Sequence, residues 1–220
     1  ISFNNNDNTQ TTCTLNLTIV CYTTCSTCNS SGSDTNHYCI SCISDYALIY
    51  NTQNCYLKTT SIPFYNYSPT DNLFKPCYAS CKFCTGEGTS TDHKCIECID
   101  SYYMVEGKML CYTSNAIVPG HYFNSSTNTF KQCYDSCSTC SNGGNSSIHY
   151  CTNCKIGYYL VDQTTNCYIS TTTLDYYVLD YNLNKFVRCY ISCKTCTSTG
   201  NSITHNCTSC NSGYYYLVDN

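Results

Sequence analysis

The stretch CYASCKFCTGEGTSTDHKCIECIDSYYMVEGKMLC, residues 77–111, places six cysteines at the spacing C-x3-C-x2-C-x10-C-x2-C-x12-C. The same spacing stands upstream at Cys21, Cys25, Cys28, Cys39, Cys42 and Cys55, and downstream at Cys133, Cys137, Cys140, Cys151, Cys154 and Cys167. Cys189, Cys193, Cys196, Cys207 and Cys210 start a fourth copy without its last cysteine, and each copy begins 56 residues after the one before. A fixed period of this length marks a tandem array in which one supersecondary unit recurs. The units are read as residues 21–76, 77–132, 133–188 and an incomplete 189–220, preceded by an arm over residues 1–20.

Leu, Ile, Val and Phe total 39 of 220 residues, too few for a large apolar core, while the formal charge is only -4 and 24 residues are cysteine. That combination points away from disorder and toward a cross-linked scaffold. Cysteine at such density means disulfides in an oxidising compartment or metal sites in a reducing one. Six Asn-x-Ser/Thr tripeptides, at Asn16, Asn29, Asn66, Asn124, Asn145 and Asn206, speak for a glycosylating secretory route, although Pro69 stands close behind Asn66. An extracellular or cell-surface location is expected, with N-linked glycans and O-linked chains on the many Ser and Thr. The chain starts at Ile1 rather than Met, as a processed form or a piece of a longer protein would. No apolar run approaches the roughly 18 residues of a membrane span, so any membrane anchor is expected outside this sequence. The ten Lys and Arg are scattered singly, and nucleic acid is not an expected partner.

Other positions keep the period. Tyr22, Tyr78, Tyr134 and Tyr190 follow the first cysteine, and Tyr46, Tyr102, Tyr158 and Tyr214 come four after the fifth. His37, His93, His149 and His205 precede the fourth cysteine by two, as metal ligands or, in the blander reading, as rings hydrogen-bonded to nearby backbone. Gly32, Gly88, Gly144 and Gly200 sit in a polar loop and are expected to supply positive φ. Tyr158–Val161 and Cys167–Ile169 flank a polar turn and read as a hairpin of aromatic and β-branched strands. A second hairpin is expected in the linker, where residues 64–67 and 72–74 flank Ser68-Pro69-Thr70-Asp71 and where Phe130 and Phe186 recur in the register of Phe74. Helical periodicity with capping signals is missing. The fold class is therefore small and disulfide-rich, mostly β-hairpins and loops with almost no helix, its repeats stacked into an elongated solenoid-like rod.

Six cysteines allow 15 connectivities, and spacing does not choose among them. The run C-x3-C-x2-C, a glycine-bearing loop, C-x2-C, an aromatic strand and a last cysteine resembles the furin-like cysteine-rich repeats of growth-factor receptors and the cysteine-periodic surface proteins of ciliates. The Tyr-rich linkers and the lack of receptor-type Trp and Pro bring the ciliate proteins nearer. The resemblance implies pairing of first with third, second with fourth and fifth with sixth. That gives Cys21–Cys28, Cys25–Cys39 and Cys42–Cys55; Cys77–Cys84, Cys81–Cys95 and Cys98–Cys111; Cys133–Cys140, Cys137–Cys151 and Cys154–Cys167; then Cys189–Cys196 and Cys193–Cys207. The competing reading is zinc held by sets such as Cys25, Cys28, Cys39 and Cys42, which strands two cysteines per copy. On the disulfide reading no metal or other cofactor is required.

Cys13 falls outside the register and Cys210 lacks its mate, one near each end of the chain. Repeats that touch only their neighbours keep such ends apart, so the two are expected to bond between molecules, joining subunits head to tail into a filament. Alternatively each pairs with a cysteine of a longer chain. The function expected is that of a structural extracellular or cell-surface glycoprotein, a filament or surface-coat subunit, with a receptor-like ligand-binding ectodomain or surface antigen as the alternative. Catalysis needs converging groups of tuned pKa in a pocket, and three Glu, dispersed Asp and register-locked histidines make an enzyme unexpected.

Overall fold

The structure, a computed structural model, describes residues 19–217. Among the described residues there are twenty short strands and no helix. The chain divides into two compact units, residues 1–96 and 97–220.

Repeat 1, in the first unit, contains β1 (Cys25–Cys28), β2 (Cys39–Cys42), β3 (Tyr46–Ile49), β4 (Cys55–Leu57), β5 (Tyr65–Ser68) and β6 (Leu73–Pro76). The first two run antiparallel with Cys25 opposite Cys42 and Cys28 opposite Cys39, and the ladder is irregular around Thr27. β3 and β4 form the hairpin that follows the fifth cysteine, Leu48 opposite Cys55, around a turn in which Asn51 takes φ 58°. Asn tolerates this left-handed conformation better than most L-residues. β5 and β6 make the linker hairpin, closed by Asn72 at φ 50°. In that turn the Ser68 hydroxyl and the Lys75 ammonium, 2.6 and 2.9 Å from Asp71 Oδ2, hold the Asp71 carboxyl down to about 2.

The linker is folded onto the hairpin before it. β3 and β6 pair in parallel, Leu48 with Leu73 and Ile49 with Phe74, giving a four-stranded sheet in the order β4-β3-β6-β5. That pairing buries Ala47, Ile49 and Phe74, with Tyr56, Ile62, Tyr65 and Tyr67 packed around them. Burying one such phenylalanine is worth about 2–3 kcal/mol, comparable to a disulfide. Repeat 1 thus has two small cores, one of sulfur and one of aromatic rings.

Repeat 2 contributes β7 (Cys81–Cys84), β8 (Cys95–Cys98), β9 (Tyr102–Met104), β10 (Cys111–Thr113), β11 (His121–Asn124) and β12 (Thr129–Gln132), and the division between units falls inside β8. Repeat 3 contributes β13 (Cys137–Cys140), β14 (Cys151–Cys154), β15 (Tyr158–Val161), β16 (Cys167–Ile169), β17 (Tyr177–Asp180) and β18 (Lys185–Arg188). Repeat 4 has β19 (Cys193–Cys196) and β20 (Cys207–Cys210). In the second unit Val105 bridges to Phe130, and Val161 pairs with Phe186, as Ile49 does with Phe74.

The step from one repeat into the next also recurs. The amide of Phe64 donates to Lys82 O at 2.7 Å, that of Gly120 to Ser138 O at 2.7 Å, and that of Tyr176 to Lys194 O at 2.7 Å. All three residues have positive φ, 70°, 73° and 71°, although only one is glycine. Left-handed backbone recurs after the histidines too, at Tyr38, Lys94, Tyr150 and Asn206. Side chains at such positions cost about 1 kcal/mol each, so the surrounding bonds over-determine them.

The reading of the loop glycines needs correction. Of Gly32, Gly88, Gly144 and Gly200, only Gly144 has positive φ, at 68°. The common requirement is close approach: a Cβ on any of the four would collide with the carbonyl oxygen of the histidine five residues on, His37, His93, His149 or His205.

Candidate functional site

The first hairpin of every copy is knotted by sulfur. In the first unit the disulfides are Cys21–Cys28, Cys25–Cys39, Cys42–Cys55, Cys77–Cys84 and Cys81–Cys95. In the second they are Cys98–Cys111, Cys133–Cys140, Cys137–Cys151, Cys154–Cys167, Cys189–Cys196 and Cys193–Cys207. Cα separations run from 5.0 to 5.9 Å, within the normal range for the bond. Loop closure by bonds 13 or 14 residues apart restricts the unfolded chain by about 3 kcal/mol each. Cys25, Cys28, Cys39 and Cys42 are consumed in three different bridges and offer no thiolate set to a metal. No cluster of three or more potential metal ligands occurs among the described residues.

At the centre of each knot stands the periodic histidine. His37, His93 and His149 are buried, and each ring stacks on the periodic tyrosine, Tyr22, Tyr78 or Tyr134, at centroid distances of 4.1–4.2 Å. In repeat 3 the Cys167 amide donates to His149 Nδ1 at 3.1 Å, and the Ser136 hydroxyl lies 2.9 Å from the same nitrogen. An amide can only donate, so Nδ1 is the acceptor and the neutral ring carries its proton on Nε2. The Ser136 proton shares that lone pair or turns to Cys151 Sγ, 3.7 Å away. Repeat 1 repeats the arrangement, with the Cys55 amide 3.1 Å and the Thr24 hydroxyl 3.2 Å from His37 Nδ1. The backbone amides of His37 and His149 donate to Asn54 and Asn166 Oδ1 at 2.9 and 2.8 Å.

Burial lowers the pKa of the His149 imidazole from its ordinary value, and the Cys167 amide, which donates to Nδ1, favours the neutral ring in the same sense. The ring is therefore a structural hub with its polar edge turned into the knot. Two of its partners were missed in the sequence: the hydroxyl at Thr24, Ser80, Ser136 and Ser192, and the asparagine at Asn54 and Asn166. Their recurrence at 56 residues was the available signal, although Leu110 interrupts the asparagine series.

Repeat 4 is built alike but open. Tyr190 stacks on His205 at 4.2 Å and the Ser192 hydroxyl lies 2.7 Å from Nδ1, yet His205 is exposed. Cys210 is a free, half-buried thiol beside a hollow of about 560 Å³ lined by Ser192, His205, Cys207 and Tyr214 among others. Cys13 and Asn16 lie outside the described residues. Of the remaining sequons, Asn29 and Asn145 are exposed in loops, Asn124 ends β11, Asn66 is in β5 and Asn206 precedes β20.

No family model matches the chain, and no solved structure matches it. Cysteine repeat modular protein 2 of Tetrahymena thermophila is 31% identical over 156 residues, which are 68% of this chain and 8% of that protein. Proprotein convertase subtilisin/kexin type 5 of Rattus norvegicus is 32% identical over 147 residues, 65% of this chain and 7% of its own length. The human extracellular matrix organizing protein FRAS1 is 31% identical over 142 residues, 64% of this chain and 3% of that protein. The chain is built of furin-like cysteine-rich repeats. It spans less than a tenth of each of these relatives, so the likeness concerns furin-like repeats and not the rest of those proteins. One of them is named as an organiser of extracellular matrix. Furin-like repeats in this chain are cross-linked modules with a histidine at each hub, and their exposed surface is mainly loops and hairpin turns.

Proposed function

We propose that this chain is a structural glycoprotein of the cell surface or extracellular space, with no catalytic activity, whose copies join head to tail through Cys210 of one and Cys13 of the next. One observation carries the reading: every described cysteine is in a disulfide except Cys210, whose counterparts Cys42, Cys98 and Cys154 are all bonded. Eleven bridges among the described residues suit an oxidising exterior, and a half-exposed thiol there calls for a partner. A bond between unlike surfaces repeats without closing, which makes a filament. His37, His93 and His149 support the lack of catalysis, because their rings are buried in the knots rather than aimed at a substrate. Electrophoresis without reductant checks the linkage. A ladder that collapses to one band on reduction, and disappears in Cys210→Ser, is expected; a single monomer band without reductant would sink it.

A receptor-like ectodomain is the second reading, favoured by one asymmetry. A hollow of about 440 Å³ in the second unit is lined by Ile117, Val118, Tyr122, Phe123 and Thr139; Thr27 and Thr195 share the register position of Thr139, and repeat 2 alone has a phenylalanine there, Phe83. Recovery of a stoichiometric soluble partner, lost on Thr139→Phe, would promote this reading over the filament.

A further inference from the structure

Which sequons can carry sugar is decided by the side-chain nitrogen. We propose that Asn29, Asn124 and Asn145 bear N-linked glycans in the folded protein and that Asn66 and Asn206 do not, an inference that rests on the secretory route proposed above. N-glycosylation bonds Asn Nδ2 to the anomeric carbon of a lipid-pyrophosphate-activated sugar. The anomeric C–O bond breaks, its electron pair leaves with the pyrophosphate, and one Nδ2 proton passes to a base of the transferase. The product nitrogen keeps a single hydrogen and carries a bulky polar chain that needs open solvent.

Asn66 cannot meet that demand. Its Nδ2 donates both hydrogens to carbonyls, Tyr67 O at 3.1 Å and Thr85 O at 3.3 Å, and turning the amide round would set Oδ1 against two acceptors. The residue lies in β5, whose pairing with β6 includes Asn66 opposite Lys75, and it is half-buried as Asn124 also is, so the engaged Nδ2 and not burial separates the two. A sugar on Nδ2 would remove at least one of these bonds and enter the groove that holds Thr85.

Asn206 is committed in the same way. Nδ2 reaches Ser198 Oγ at 2.9 Å and Thr199 O at 3.3 Å, tying the two sides of the loop between the third and fourth cysteines. Its neighbour in the sequon, Cys207, is bonded to Cys193.

The other three present the opposite pattern. In Asn124 the oxygen accepts from the Ser126 and Thr127 amides at 3.0 and 3.2 Å, and in Asn145 from those of Ser147 and Ile148 at 2.8 and 3.0 Å. In both, the turn engages Oδ1 and leaves Nδ2 unbonded among the described residues. Asn29 follows β1 into an exposed loop, and its side chain makes no hydrogen bond among the described residues.

The test is site-resolved occupancy of the full chain, secreted from a eukaryotic host, with the cell-retained pool mapped alongside. Peptide-N-glycosidase in heavy-oxygen water converts each glycosylated Asn to labelled Asp, read by peptide mass. The secreted, disulfide-complete protein is expected to show label at Asn29, Asn124 and Asn145 and none at Asn66 or Asn206. Label at Asn66 or Asn206 confined to the retained pool also supports the proposal, because it shows that sugar there blocks folding. Label at either site in secreted material overturns the sorting while leaving the route intact. An absence of label everywhere overturns the sorting and the secretory route together.

Discussion

Repeats 3 and 4, both in the second unit, share the same knot and differ in its cover. His149 and His205 stack on Tyr134 and Tyr190 at 4.1 and 4.2 Å, and each has a serine hydroxyl on Nδ1. Only His149 also meets the sixth cysteine, through the Cys167 amide, and only it is buried. The stack and the hydroxyl contact therefore form within the knot itself, from the tyrosine beside the first cysteine and the serine before the second. Burial comes from the hairpin that brings Cys167, Asn166 and Tyr168 over the ring. In repeat 3 the knot is thus a local unit, and the hairpin that follows it is the lid over its ring.

The largest effect follows from emptying the two hubs. His149→Ala leaves the Cys167 amide and the Ser136 hydroxyl buried without their acceptor and opens a cavity between two tyrosines, at a cost of about 4 kcal/mol. His205→Ala, in an exposed setting, costs about 1 kcal/mol. Native-state exchange of the Val161 amide, which donates to Asn166 O in the lid, is expected to speed up about a thousandfold in the first variant and to stay unchanged in the second. Equal effects at the two sites would refute the distinction between knot and lid.

A smaller contrast separates two glycines of repeat 3. Gly144 and Gly157 both have positive φ, 68° and 85°, but a Cβ on Gly144 would lie 2.5 Å from His149 O, whereas one on Gly157 meets nothing within 4 Å. Gly157→Ala is expected to cost about 1 kcal/mol from backbone strain alone, and Gly144→Ala about 3 kcal/mol, because the loop must move off the histidine. Thermal unfolding of the two variants under oxidising conditions measures the difference. Matching losses would mean that backbone angle, and not close approach, explains the periodic glycine.

That result bears on what the sequence could disclose. The hairpin around residues 162–166 and the linker hairpin before Phe74 were legible, since aromatic and β-branched runs flank clusters of Asn, Asp, Thr and Pro. The absence of helix among the described residues followed from the lack of helical periodicity with capping signals. The glycine's role was misread because a loop composition suggests positive φ, while proximity to a carbonyl five residues on exists only once the knot is closed. Left-handed backbone at Phe64 and Tyr176 was invisible for the complementary reason: only Gly120, their counterpart, advertises it. Sulfur pairing is not encoded in spacing at all, and only a resemblance offered a choice. Thr24 and Asn54 went unnoticed because polar residues are common in this chain, and their meaning depends on the ring between them.

The smallest expected effect is acid sensitivity of the closed hub. Burial keeps the folded-state pKa of His149 below the ordinary 6.5, so the unfolded chain takes up a proton at a pH where the folded chain still resists it. Stability from the neutral ring is thus fully present above about 6.5 and declines as pH falls from there toward the folded value. The geometry agrees in sign, because a proton on Nδ1 would face the Cys167 amide hydrogen. Val161 amide protection, corrected for the intrinsic pH dependence of exchange, is expected to hold between about pH 7.5 and 6.5 and to fall toward about pH 5. His149→Gln has no ionisable ring and is expected to flatten the profile at a lower overall protection. If the decline persists unchanged in His149→Gln, another group controls the lid, and the hub is sensitive to shape but not to charge.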